Sequence, residues 1–158
     1  MKASIIHFLG VTAIVVVASP RSVDANAPAG HYVVTAGNGT GSGTVYDAKS
    51  KLTWQQIVST STYKWDAAQT YCSGVGASLG GTGWRLPTIK ELQSIVDLSQ
   101  AAYPFIDPNA FPSTPSATFW SATLSYGSGA SYAWVVNFDR GFTTYNNVSG
   151  TNNVRCVR

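Results

Sequence analysis

The chain has 158 residues, of which 44% are hydrophobic, 12% aromatic and only 11% charged, against about 25% charged in an average globular chain. That length has room for one domain, and the wealth of aromatics excludes a chain that is disordered beyond its ends. The formal charge of +3 falls to +2 once residues 1–25, which hold Lys2, Arg21 and Asp24, are set aside, too mild for a nucleic-acid partner.

Residues 1–25 read as a signal peptide. Lys2 supplies the positive start, Ile5 to Ala18 is an apolar run, and Val23-Asp24-Ala25 offers small residues for cleavage after Ala25. The alternative is a retained membrane anchor, but the run is shorter than the roughly 20 residues a spanning helix needs. No second apolar segment follows, so the mature protein is expected to be exported, without stable membrane insertion. Residues 26–43 form a Gly-rich, flexible lead-in with a short strand at Tyr32–Thr35. Their glycines lack the following Lys-Ser/Thr of a phosphate-binding loop.

The domain proper spans residues 44–158. Thr44–Asp47 and Leu52–Gln56 read as strands across a turn at residues 48–51. Trp65, Ala68 and Cys72 share one face of a helix over residues 65–73, ended by Gly74 and Gly76. Gly80 to Gly83 turn the chain into Trp84-Arg85-Leu86-Pro87. Arg85 is expected to be partly buried and paired with Asp66, Asp97 or backbone carbonyls. Thr88 and Glu91 form a capping box for a second helix, whose apolar face is Leu92, Ile95 and Val96. Four prolines between Tyr103 and Pro115 impose a loop, with Ile106, Phe111 or both tucked beneath it. Strands follow at Phe119–Ala122, at Tyr132–Phe138, at Phe142–Tyr145 after an Asp139-Arg140-Gly141 turn, and finally at Asn152–Val157. In the second of these, Tyr132, Trp134, Val136 and Phe138 share one face. The five tryptophans fall inside elements and read mostly as core.

Cys72 and Cys156 are the only cysteines. In an exported protein such a pair reads as a disulfide. Metal binding is the weaker reading, because the Cys-x2-Cys spacing is missing and no His lies near either residue. Apart from His7 in the signal, His31 is the only histidine, remote in sequence from any nucleophile. The carboxylates at 47, 66, 91, 97, 107 and 139 show no calcium-loop spacing. No metal or cofactor is therefore expected.

Six pieces in order carry a resemblance: Asp47…Leu52-Thr53-Trp54-Gln55, Trp65-Asp66-Ala67-Ala68…Tyr71-Cys72, Gly83-Trp84-Arg85-Leu86-Pro87-Thr88…Glu91-Leu92, Phe119-Trp120-Ser121, Tyr132 to Phe138, and Val154 to Arg158. Together they resemble the Lcl C-terminal domain family, named after the domain that ends a bacterial collagen-like adhesin and otherwise largely of unknown function. The resemblance implies an α+β fold of C-type-lectin-like plan: two helices plus antiparallel strands, with one disulfide joining the first helix to the last strand, here Cys72 to Cys156. It also implies adhesion, since binding to sulfated glycans is ascribed to the family's namesake. The Trp-Arg-Leu-Pro-Thr piece is similar to formylglycine-generating enzymes as well, but their copper-site cysteines have no counterpart once Cys72 and Cys156 are paired. The calcium-holding loops of sugar-binding C-type lectins are missing too.

Residues 126–153 are rich in Tyr, Ser, Asn and Thr. That composition serves adaptable recognition surfaces and equally ordinary turns and edge strands. The candidate ligand-contact residues are Tyr126, Tyr132, Asn137, Arg140, Thr144, Tyr145, Asn146, Asn147 and Asn152. The expected function is that of an exported, non-enzymatic recognition or adhesion domain. It would bind a glycan or protein ligand through this C-terminal polar-aromatic face. An enzyme of formylglycine-generating type or a small hydrolase is the alternative, and a structural or oligomerisation module a third. The Asn/Tyr/Ser-rich tail also resembles the variable proteins of diversity-generating retroelements.

Overall fold

The computed structural model describes residues 31–37, 43–126 and 131–158. The expected signal peptide and its cleavage site lie outside the described residues. In chain order the elements are β1 (Tyr32–Thr35), β2 (Thr44–Asp47), β3 (Thr53–Gln55), α1 (Trp65–Gly74), α2 (Gly76–Leu79), α3 (Ile89–Ser94), β4 (Thr118–Leu124), β5 (Tyr132–Asn137) and β6 (Phe142–Asn147). The strands form two antiparallel three-stranded sheets, β1-β2-β3 and β4-β5-β6. The fold is α+β, and among the described residues no helix is long and apolar enough to cross a membrane.

Local chemistry accounts for most element boundaries. Asp47 closes the β2–β3 turn, its carboxylate accepting from the Lys49 N–H at 2.8 Å and from the Ser50 hydroxyl. α1 buries Ala68 and Cys72 on one face. It runs on through Val75 into the single turn of α2, where a helix end was expected at Gly74 and Gly76. Positive φ at Gly80, Gly81 and Gly83 then reverses the chain. The capping box at α3 is complete: Glu91 N–H donates to Thr88 Oγ1, and Thr88 N–H donates to Glu91 Oε2 at 2.8 Å. α3 is shorter than its periodicity suggests, so Ile95 and Val96 fall just beyond it. Both Ile106 and Phe111 are buried under the proline-rich loop.

The second sheet separates two cores, and the strand register shows how. Phe119 pairs with Val136 and Trp120 with Val135, so alternate residues face opposite ways. Phe119, Val136 and Phe138 join Leu92, Ile95, Ile106 and the first sheet's Val45 and Trp54 in one core. Trp120, Ala133 and Val135 join Ala68, Cys72, Trp84 and Leu86 in the other. Trp54, Trp84 and Trp120 are core residues, as expected. Trp65 and Trp134 are only half-buried.

The expected closing strand at Asn152–Val157 is a correction. The segment is extended but forms isolated bridges to four different partners: Asn152 with Tyr63, Asn153 with Phe119, and Val157 with both Trp54 and Arg85. No single neighbour runs alongside it for long enough to make a ladder. Within it, Cys156 is bonded to Cys72 of α1, with Cα atoms 5.3 Å apart across 84 residues. Arg155 beside it is 0% exposed. Its guanidinium donates to the carbonyls of Gln55 and Gln56, both at 2.6 Å, and to Thr114 Oγ1 at 2.7 Å, and it lies 4.6 Å from the Phe111 ring centre. No carboxylate pairs with it among the described residues. Burial pushes its pKa down to about 9, which still leaves it charged at neutral pH.

Two stability predictions follow from this segment. The entropy of closing so long a loop sets a ceiling of about 4–5 kcal/mol on the disulfide's contribution. Reduction should lower stability by about 2–4 kcal/mol and Tm by roughly 10 °C, without abolishing folding, because the two cores persist. Two free thiols by alkylation and mass in the untreated protein would remove the bridge from the account. Arg155→Lys keeps the charge but replaces a planar fork with a point donor. It leaves at least one buried carbonyl unpaired, at about 1–3 kcal/mol each. Urea unfolding should show a loss of that size, and an unchanged midpoint would refute the role given to Arg155.

Candidate recognition surface

β5 and β6 pair in register from Tyr132–Asn147 to Asn137–Phe142, with Trp134 opposite Tyr145 and Val136 opposite Thr143. Tyr132, Trp134, Val136, Thr143, Tyr145 and Asn147 therefore share one face. At one end of this face Val136 and the following Phe138 are buried against Leu92 and Ile95. At the other end Tyr132, Trp134 and Tyr145 are open to solvent to different degrees, Tyr145 being 47% exposed.

These three rings form a connected cluster. Tyr145 stands edge-on to Tyr132, with centroids 5.7 Å apart, and edge-on to Trp134 at 5.9 Å. Such edge-to-face packing holds the rings in place. Tyr126, which follows β4 and is 90% exposed, is carried towards the same end by the bond from Ser125 N–H to Tyr132 O at 2.9 Å. The result is an aromatic ledge flanked by the hydroxyl of Thr143 and the amide of Asn147.

The nine sequence candidates do not assemble into one surface. Tyr132 and Tyr145 are in the ledge, and Tyr126 stands exposed after Ser125 at the end of β4. Asn147 shares the face, but its side-chain oxygen accepts from the N–H and hydroxyl of Ser149. Thr144 and Asn146 point to the opposite face. Asn137 caps the hairpin turn, accepting from the N–H groups of Asp139 and Arg140. Arg140 lies at the turn itself, five residue steps or about 17 Å along the ribbon from Tyr132, and 3.5 Å from Asp139. Asn152 is 3% exposed; it accepts from Asn146 and Thr118 and is an interior hub. The residue the sequence reading assigned to the core and the structure puts in the ledge is Trp134. Its period-two relation to Tyr132 was the available signal.

Two other polar groups bear on what the protein can do. Arg85 is half exposed and paired: as expected it reaches a backbone carbonyl, Nη1 donating to Leu86 O at 3.4 Å, but its carboxylate partner is Glu91 and neither Asp66 nor Asp97, with Nη1 donating to Oε2 at 2.8 Å and Nη2 to Oε1 at 2.7 Å. That bidentate bond, together with the capping contact to Thr88, holds the Glu91 carboxyl below the usual range. It also commits Arg85, which removes it as a free anion ligand. His31 docks beside the first sheet, with Nε2 3.4 Å from Asp47. Ser50 donates to the same carboxylate, so serine and imidazole converge on the acid instead of forming a relay from hydroxyl to base to acid. Among the described residues no group of three or more His, Cys, Asp or Glu could hold a metal ion.

Over residues 43–158 the sequence matches the model of the Lcl C-terminal domain. No curated protein matches it.

The Arg85–Glu91 pair makes a pH prediction. A carboxyl held low in the folded state adds stability above its unfolded pKa, near 4.3, and loses that stability as pH falls through the lower folded value. Gln at this position keeps the capping box, so Glu91→Gln isolates the ion pair. Because Arg85 is 46% and Glu91 22% exposed, solvent screens the pair and the variant should lose only about 0.5–1 kcal/mol at pH 7. The gap to the parent should close below about pH 4. A gap that persists at low pH would mean that the pair is not its source.

Proposed function

The chain belongs to the Lcl C-terminal domain family, and from that premise we propose that it is an exported, non-enzymatic recognition domain. Its ligand is a glycan, contacted through the aromatic ledge of β5 and β6. The observation that carries this reading is the three-ring cluster of half-buried Tyr132 and Trp134 with exposed Tyr145. Tyrosine and tryptophan provide rigid, amphipathic contact area at low entropic cost, and their faces suit the C–H faces of sugar rings while nearby hydroxyl and amide groups meet sugar hydroxyls. The ledge carries no formal charge, so affinity should come from stacking and hydrogen bonds.

Several features support a binding role over catalysis. The disulfide takes both thiols. His31 and Ser50 share Asp47 without forming a relay. Glu91 lies below the usual carboxylate range because of Arg85. Burial raises Asp97, but bonds from Ser99 and Gln100 outweigh it and hold this carboxyl low as well. A general acid needs the opposite shift. Export accords with the disulfide, which forms and persists in oxidising compartments.

The test is a glycan array probed with the purified protein, followed by titration of the best glycan. Tyr145→Ala, which loses two edge-to-face ring contacts worth about 0.5–1.5 kcal/mol each, should lower the melting temperature by a few degrees while the protein stays folded, and weaken binding about tenfold, which corresponds to about 1.4 kcal/mol. Arg140→Ala, at the far end of the ribbon, should change it little. A blank array, or a Tyr145 variant that binds as the parent does, would defeat the proposal.

A further inference from the structure

Beyond the end of the β5–β6 ribbon lies a cleft of about 320 Å³, lined by Lys64, Trp65, Asp66, Val148 and Ser149. Its two walls come from distant parts of the chain. One is the start of α1; the other is the turn that follows β6. They are joined by the bond from Trp65 N–H to Val148 O at 3.3 Å. The indole N–H donates to Ser121 O at 2.8 Å, so the half-buried ring is fixed in orientation. Val148 N–H donates to Ser131 O at 2.9 Å, one residue from Tyr132. Trp65 and Val148 pack on the core that holds Ala133 and Val135, so the cleft lies on the side of the sheet opposite the ledge.

Its lining is chemically mixed in a particular way. Trp65 and Val148 are apolar and half-buried, and pack on the core behind them. Lys64, Asp66 and Ser149 are exposed at the rim. Asp66 uses one carboxylate oxygen on the Ala67 N–H at 2.8 Å. Neither Asp66 nor Lys64 belongs to an ion pair among the described residues. A cation, a carboxylate and a hydroxyl thus surround an aromatic floor, and the two formal charges cancel.

We propose that this cleft binds one uncharged pyranose unit, as a subsite separate from the ledge. The inference rests on the glycan reading above and adds a second subsite, with the size and charge of the unit it takes. The volume is at the lower end of small-molecule sites, which run from about 300 to 1,000 Å³, so it admits a single ring. The apolar floor takes the C–H face of that ring. Asp66 accepts from ring hydroxyls, and Lys64 and Ser149 complete the contacts. The balanced rim gives an anionic sugar no advantage over a neutral one.

The experiment uses the purified protein and free methyl glycosides of neutral hexoses and N-acetylhexosamines, read by the indole N–H resonance of Trp65 in nitrogen-15 NMR spectra. At least one glycoside should shift this resonance saturably at millimolar concentration. Asp66→Asn and the cleft-filling Ser149→Trp should each weaken that binding tenfold or more with no change in melting temperature, since both positions are exposed. Tyr145→Ala should leave it intact while weakening the full glycan. If no glycoside in the panel moves the Trp65 resonance, or if Ser149→Trp binds as the parent does, the inference is overturned. A positive array that remains sensitive to Tyr145→Ala would then leave the ledge standing alone. If glycosides saturate Trp65 but Tyr145→Ala has no effect on any glycan, the cleft is supported and the ledge reading falls. A short peptide that shifts Trp65 at lower concentration than every glycoside would also overturn it.

Discussion

The rest of the structure depends on the extended path of the last seven residues between the two cores. Val154 and Cys156 belong to the core that holds α1. Arg155 and Val157 face the other way, towards Phe111, Gln55 and Trp54. The alternation of an extended chain thus lets one segment serve both cores. Its backbone groups cannot be left unpaired there, and they are satisfied by many different segments. Cys156 O accepts from Gln55, Asn153 O from Trp120 and Asn152 O from Tyr63, while Val157 exchanges both its bonds with Arg85. Each such bond fixes one distant piece of chain relative to the others. The disulfide then fixes the segment to α1 covalently, and the Arg155 fork ties it to β3 and to the proline-rich loop.

This arrangement also explains why an aromatic ledge exists. The ribbon of β5 and β6 is about 20 Å long, six residues at about 3.4 Å each. α3, which covers one face of it, has six residues and so spans only about 9 Å. Cover therefore ends near Val136. The same alternation that buries Val136 and Phe138 leaves Tyr132 and Trp134 only half-buried on the same face, and register brings Tyr145 up beside them. The ledge is continuous with the apolar core, which makes its rings rigid. At the far hairpin a Cβ on Gly141 would collide with Leu98 Cδ2, so Leu98 lies directly against the turn there.

The asparagines make the complementary point. A segment rich in Asn, Ser and Tyr has the composition of a recognition surface, yet most of its amides hold the chain in shape. Asn137 and Asn147 close turns by accepting from backbone N–H groups two or three residues on, the bond for which Asn is favoured in turns. Asn152 is interior. What stays available for a ligand is the aromatic set, together with a cleft whose Lys64, Trp65 and Asp66 come from a helix start more than sixty residues earlier in the sequence.

The sequence by itself determined what short-range physics governs: the Thr88–Glu91 cap, the α1 face through Ala68 and Cys72, the proline-rich loop over Ile106 and Phe111, and the alternation of β5. The six ordered motifs determined the family, and with it the expectation that Cys72 meets Cys156. Only the tertiary structure decided the matters that depend on cover and convergence. It broke the expected final strand into single bridges, because several partners compete for one short segment. It gave Arg85 to Glu91, since the turn at Pro87 and the start of α3 bring those two side chains together. It left Trp134 half-buried and sequestered Asn152, because a strand pattern states which residues share a face but not how far the neighbouring helix reaches over it. That reach depends on helix length and packing between segments far apart in the chain, and no local pattern encodes it.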